Sequence, residues 1–245
     1  MATTPKKPRK AKEPEPVLAQ TRPFGRRLML WVLRGIAGVA GAFALLILVF
    51  SFLNPPVNLY QLHESARLGG VEREWVAWDD IAPIMARSVV AAEDANFCLH
   101  WGFDMAAIRA AVAQGGNRGA STISQQVVKN VFLWHGRSWL RKAMEGVLTP
   151  VVELVWSKQR ILEVYLNIAE FDEGVFGAQA AAQHYFKVDA RSLTATQAAR
   201  LAAVLPDPKG RSASQPSNFV RNRTRAIISG AETIAADGRD ACFRS

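Results

Sequence analysis

The sequence predicts a mainly α-helical domain preceded by one membrane-spanning helix. Three observations carry that prediction. A long apolar run near the N-terminus holds almost no charge, and past Asn58 apolar residues recur at helical spacing nearly throughout. No run of alternating β-branched residues is long enough to require a sheet. At 245 residues the chain can bury one large core or two small ones, and no internal repeat divides it.

Charge is unevenly placed. The formal net charge of +9 would suit a nucleic-acid binder if it were spread over the folded part. Residues 1–27 carry eight basic side chains (Lys6, Lys7, Arg9, Lys10, Lys12, Arg22, Arg26 and Arg27) against Glu13 and Glu15, and Arg34 adds one more. These account for seven of the nine positive charges and leave +2 for residues 35–245. The basicity belongs to the tail, which argues against a nucleic-acid partner.

Taken in order, residues 1–27 are rich in Lys, Pro and Ala and are expected to be a disordered basic tail. Residues 28–53 carry Arg34 as their only charge and are read as a transmembrane helix, since roughly 20 apolar residues span a bilayer core. The run is long for a signal peptide, and the segment from Ser51 to Pro56 does not resemble a small-residue cleavage site. The preceding basic residues predict a cytoplasmic N-terminus, which places residues 54–245 outside the cytoplasm. Pro55-Pro56 stop the helix. Cys98 and Cys242 are far apart in sequence and are expected to be unpaired thiols, although the compartment would permit a disulfide.

Within the domain, Trp78-Asp79-Asp80-Ile81-Ala82-Pro83 reads as a helix start with Asp80 as the cap and Ile84, Met85, Val89 and Val90 as the core stripe. The stripe runs directly into Glu93 and Asp94. Carboxylates set against apolar surroundings lose solvation in the charged form, and their pKa rises toward the range useful for proton transfer. Phe97, His100 and Asp104 follow at near-helical intervals. Helix continues over Ala106–Ala113, until Gln114–Gly119, with three glycines in six residues, predicts a mobile loop. Ser121 and Thr122 then start a capped helix whose Gln125 and Lys129 share a face, with Gln126 beside them and Ile123, Val127, Val128 and Val131 opposite. Arg137, Arg141 and Glu145 recur every four residues, with Lys142 alongside. Read separately, these stretches would equally be solvated helix faces. Together, Lys129, Arg137, Arg141 and Lys142 gather four cations beside a helix N-terminus, a place suited to phosphate oxygens. A last helix spans Phe219–Ala235, and no Ser-x-x-Lys motif or further catalytic module follows.

The residues resemble the peptidoglycan glycosyltransferases of glycosyltransferase family 51, in their monofunctional, membrane-anchored form. Four motifs carry the resemblance: Glu93-Asp94-x-x-Phe97-x-x-His100-x-Gly102-x-Asp104, Gly119-Ala120-Ser121-Thr122-Ile123-Ser124-Gln125-Gln126 with Lys129-Asn130, Arg141-Lys142-x-x-Glu145, and Lys158-x-x-Ile161-Leu162-Glu163-x-Tyr165-Leu166-Asn167. A fifth region, Gly174–Gly177 through Ala180-Ala181 to Tyr185-Phe186, also fits, and the match covers about residues 70–210. The chain departs from the pattern at Ala95, where Arg or Lys is usual, at Gln197, where Glu is usual, and in a shorter loop between the first two motifs. Gly146 and Pro150 should break or kink the helix after the third motif before Val151.

The resemblance implies a lysozyme-like glycosyltransferase fold with a smaller membrane-proximal lobe. It also implies polymerisation of lipid II into β-1,4-linked glycan with release of undecaprenyl diphosphate, at the inner membrane and on its periplasmic side. Glu93 would be the general base. Lys129, Arg137, Arg141 and Lys142 would stabilise the diphosphate, and Glu145 would be a second essential carboxylate that orients the cations or holds a Mg or Mn ion. Ser121, Thr122, Gln125 and Gln126 would bind sugar or phosphate oxygens; Asp94 and Asn167 would either join them or serve as structural partners. His100 reads as a core or hinge residue. No organic cofactor is implied, and the sequence has no His/Cys/Asp spacing for a structural metal site. Partners would be lipid II, the growing glycan, the bilayer, and division or elongation proteins. Two rivals stay open, a membrane-anchored lysozyme-like hydrolase and a non-catalytic cell-wall scaffold; the four-cation cluster favours a lipid-diphosphate substrate over either.

Overall fold

The computed structural model describes residues 24–115, 119–136 and 138–244. The expected disordered tail, apart from its last residues, the centre of the glycine-rich loop, and Arg137 lie outside the described residues. The chain divides into two units, residues 1–42 and 43–245.

The long apolar run is helix α1, Phe24–Phe50, and its segment Gly25–Phe50 is long and apolar enough to cross a membrane. Leu28, Trp31, Ile36 and Val39 are exposed, as side chains are when lipid is their solvent. The helix starts four residues before the expected Leu28 because Arg26 and Arg27 are good helix formers, and it stops before the turn that leads into Pro55-Pro56.

The second unit begins inside that helix. Ile47 is only 1% exposed, and the Trp156 indole donates to its carbonyl at 2.7 Å. Arg160 donates to the carbonyls of Phe50 (3.1 Å) and Leu53 (2.7 Å), satisfying acceptors that a helix end leaves orphaned. Helix α2 (Leu59–Leu68) opens with an Asn58–Gln61 capping box and closes on Gly69 at φ 78°. A small sheet follows, contrary to expectation. Strand β1 (Glu72–Arg73) pairs in parallel with β3 (Val175–Phe176), which pairs antiparallel with β2 (Glu170–Asp172). Strands of two or three residues are too short to leave an alternation in the sequence.

Helix α3 (Pro83–Glu93) buries Met85, Val89 and Val90 as expected. Asp80 does not cap it. A 3-10 turn, Trp78–Asp80, intervenes, Ala82 takes the N-cap, and Pro83 supplies the pre-set first turn. Phe97, His100 and Asp104 share no helix either: Phe97 opens a short 3-10 turn, and Asp104 caps α4 (Met105–Ala113) by accepting from the Ala107 amide at 2.8 Å. Then come α5 (Ile123–Phe132), α6 (Trp139–Val155), α7 (Lys158–Ile168), α8 (Ala178–Phe186), α9 (Ala195–Val204) and α10 (Asn218–Ala236). Of the kink or break expected there, the break does not occur: helix α6 runs unbroken through Pro150. Burial of Leu148, Thr149, Val152 and Glu153 holds it on both sides of the proline, whose missing N–H removes one backbone bond.

Helices α3, α9 and α10 pack on one another, and α5 packs on α6 and α7. Helix α4 buries only Ala111. Against expectation, Cys98 and Cys242 form a disulfide with Cα atoms 5.6 Å apart. The packing of α10 along α3 returns the C-terminal end to the loop after α3, and a contact across 144 residues leaves no local trace in sequence.

Candidate active site

Glu93 is the last residue of α3, and the Gln126 amide on α5 donates to its carboxylate at 2.9 Å. Burial pushes the Glu93 carboxyl above its ordinary value. The Gln126 hydrogen bond and the nearby Arg223 and Lys129 oppose that shift, while Asp94 adds to it. Asp94 is buried and accepts from the Ile123 amide at 3.0 Å, at the very start of α5, while its other oxygen meets His100 Nε2 at 2.8 Å. One carboxylate thus ties the end of α3 to the positive end of α5.

The start of α5 is itself built from the second motif. Thr122 is the N-cap of a capping box with Gln125, and its hydroxyl donates to the Gly102 carbonyl at 2.6 Å. Gly102 has φ +80°, and a Cβ there would come within 2.5 Å of Thr149 Cγ2. Gln125 is buried by this box and folds back on its own helix start instead of facing outward beside Lys129. Ser121 stays exposed and lies 3.3 Å from Lys142 Nζ.

The cations gather from two helices. On α6, Arg141 Nη1 pairs with one Glu145 oxygen and Lys142 Nζ lies 2.9 Å from the other. Lys129 on α5 forms no ion pair among the described residues. Burial holds its ammonium below the ordinary lysine value, Arg141 and Lys142 push the same way, and Glu93 opposes. Lys142 is likewise held down by burial and by Arg141. Arg141 and Lys142 share the single buried carboxylate of Glu145 and both act on Lys129, which leaves a surplus of positive charge for an anion. Two cavities adjoin this network. One of about 290 Å³ is lined by Glu93, Asp94, Ser121, Thr122 and Arg223, and one of about 140 Å³ by Gln126, Lys129 and Tyr165.

The transglycosylase family model matches residues 61–232, which include every part of this network. The chain belongs to the transglycosylase family. It is 56% identical to the biosynthetic peptidoglycan transglycosylase of Jannaschia sp. (strain CCS1) over 235 residues, 96% of this chain and 98% of the relative. It is 48% identical to that of Cronobacter sakazakii (strain ATCC BAA-894) over 223 residues, 86% of this chain and 92% of the relative. The protein of the same description from Pseudomonas fluorescens (strain Pf0-1) is 50% identical over 194 residues, covering 75% and 81%. The mainly helical domain carries the family's lysozyme-like fold.

Within this transglycosylase, Asn167 stands apart from the cleft. It is fully buried, accepts from the Val76 amide at 2.9 Å, and donates to the carbonyls of Val76 (3.0 Å) and Glu163 (2.9 Å). Its geometry is that of a brace between α7 and the segment before α3. Three contributors were not singled out from the sequence. The Tyr165 hydroxyl, held protonated by complete burial and the nearby Glu93 and Asp94, donates to Gln126 Oε1 at 3.4 Å and orients the amide that meets Glu93. Arg223 on α10 donates to the Ala92 carbonyl at 2.8 Å and faces Glu93. Buried Glu153 receives the Ser124 hydroxyl and the Lys158 ammonium (2.7 Å), joining α5, α6 and α7. Tyr165 was legible as a motif residue, whereas nothing distinguishes Arg223 from Arg221 and Arg225 in sequence. Both Glu145 oxygens carry cationic partners, and no cluster of three His, Cys, Asp or Glu stands among the described residues.

Proposed function

We propose that this transglycosylase is a membrane-anchored peptidoglycan glycosyltransferase that polymerises lipid II into β-1,4-linked glycan and releases undecaprenyl diphosphate. One observation carries the reading. A carboxylate kept basic by burial, Glu93, sits across one Gln126 side chain from a helix that presents the unpaired cation Lys129, with Arg141 and Lys142 beyond. Glu93 takes the proton from the acceptor's sugar hydroxyl as that oxygen attacks the donor's anomeric carbon. Negative charge then grows on the departing diphosphate, where Lys129, Arg141 and Lys142 stabilise it, and Arg137 joins them in this reading. Ser121, Gln126 and the start of α5 supply polar contacts to sugar and phosphate oxygens. Glu145 spaces the two α6 cations. No step is routed through a metal, and EDTA is expected to leave turnover within about twofold.

The apolar helix α1 serves as the anchor, with its N-terminus on the cytoplasmic side by the excess of basic residues before it. Trp139, 92% exposed, and Leu140, Val147 and Leu154 give α6 an outward apolar face suited to contact with lipid. The deciding experiment incubates the detergent-solubilised protein with labelled lipid II beside a Glu93→Gln variant. Long, lysozyme-sensitive glycan from the wild type, with a loss of roughly 10²–10⁴ in the variant, supports the reading. Cleavage of preformed glycan without synthesis would make the protein a hydrolase, and binding without either reaction would make it a scaffold.

A further inference from the structure

Three links run from the C-terminal end of the chain to the loop that leaves Glu93, and the reaction as described uses none of them. After α10 ends at Ala236, residues 237–244 fold into successive turns around Asp240. Its carbonyl accepts from the amides of Phe243 (3.0 Å) and Arg244 (2.8 Å), and its buried carboxylate faces Arg87 of α3 at 3.5 Å. From this knot Arg239 donates to the Ala95 carbonyl at 3.1 Å, Cys242 closes the disulfide with Cys98, and the Phe243 ring lies 6.3 Å from that of Phe97. Phe97 is wholly buried, with Lys158 Nζ 4.4 Å from the centre of its ring. The links therefore land on residues 95, 97 and 98, just beyond Glu93.

That placement matters because Glu93 is the final residue of α3, and Asp94 already leaves the helix at φ −158°, ψ 69°. Helix ends fray, and the last turn lacks the hydrogen bonds that hold a helix interior. A general base has little tolerance for this, since a misplacement of about 1 Å can cost on the order of 10²-fold in rate. The knot also lies beyond residue 232, where the family match stops.

We propose that residues 237–244 form a positioning clamp for the general base: Arg239, Cys242 and Phe243 hold residues 95–98 so that Glu93 keeps its aim at the acceptor hydroxyl. The proposal rests on the reading of Glu93 given above. Arg239, Cys98 and Cys242 touch no substrate; they are positioning residues acting through the loop.

The test uses the full chain in detergent, below the unfolding temperature of each variant as fixed by circular dichroism. The Cys98→Ser/Cys242→Ser double variant is expected to lower kcat about tenfold with KM for lipid II within about twofold, because the acceptor and donor contacts stay in place. Arg239→Ala is expected to lower kcat about threefold, and Arg239→Lys, which restores a donor, to recover most of that loss. Hydrogen exchange of Arg239→Ala, which keeps the disulfide, read without substrate, should quicken over residues 94–101 and stay unchanged over α9. Unaltered kcat in a folded double variant would overturn the clamp, as would exchange that quickens equally in α9, the mark of a general loss of stability. Absence of polymer from the wild type would instead overturn the general-base reading, while the exchange data would still report whether the knot holds the loop.

Discussion

At the scale of single residues, burial of Glu93 costs stability at neutral pH. Its folded pKa lies above its unfolded value because burial outweighs the help from Gln126, Arg223 and Lys129. The folded state therefore binds this proton more tightly than the unfolded state, and stability falls as pH rises from the ordinary glutamate range through the raised value. Glu93→Gln should accordingly remove activity and raise the melting temperature at neutral pH by about 2–4 °C, the shift that ~1 kcal/mol makes in a domain of this size. A melting temperature equal to or below wild type would contradict this. Gln126→Leu makes the complementary case. It deletes a hydrogen bond that lowers the Glu93 pKa, while Lys129, Arg223 and Asp94 remain facing it. The acid limb of the kcat/KM profile should move to higher pH, since in the proposed mechanism Glu93 must lose its proton to act as the base. The grouping of these side chains was legible in residue types: two carboxylates after an apolar stripe and cations at i, i+4 spacing are local patterns. Gln125 shows where such patterns stop. Its spacing from Lys129 gave the correct helix, but the capping box turned its side chain back, and only the fold around Thr122 determines that.

At the scale of elements, the start of α5 is the junction on which the cleft depends. Thr122 caps the helix and bonds to Gly102, Asp94 holds the first amide, and Ser124 reaches Glu153. Thr122→Val keeps the shape and removes both hydroxyl interactions; a loss of about 2 kcal/mol is expected, from one cap and one buried hydrogen bond, and denaturant unfolding would measure it. Gly102→Ala should cost more, because it combines a positive φ with a Cβ driven to 2.5 Å from Thr149. This capped start was readable because capping is local chemistry. The sheet of β1, β2 and β3 was not, since its strands are two or three residues long and β1 lies about 100 residues before β2 and β3. Asp80 failed as a cap for a related reason. A 3-10 turn and a proline occupy the entry to α3, and a residue suited to capping has no role where the backbone does not present it to a free amide.

At the scale of the whole molecule, two long-range ties carry stability that no local pattern announces. The Cys98–Cys242 disulfide closes a loop across 144 residues, and constraining so long a loop in the unfolded chain is worth about 5 kcal/mol. Reduction should therefore lower the melting temperature by 10 °C or more on the scale of about 2–4 °C per kcal/mol. The second tie is the end of α1. Beyond Arg34 its sequence is apolar as far as Phe50, so nothing in that stretch separates lipid-facing residues from those built into the domain, yet the unit boundary falls at Phe43. Deletion of residues 1–42 should leave the melting temperature of the second unit nearly unchanged. Deletion of residues 1–50 removes Ile47 from the core and strips the buried Trp156 indole of its acceptor, and it takes from Arg160 the Phe50 carbonyl. Losing a buried Ile side chain costs about 2–5 kcal/mol and an unsatisfied buried donor about 1–3 more, so the longer deletion should melt at least about 6 °C lower than the shorter one. Equal melting temperatures for the two truncations in the same detergent would mean that the last turns of α1 are only an anchor. The expected difference would make residues 43–50 a structural part of the second unit.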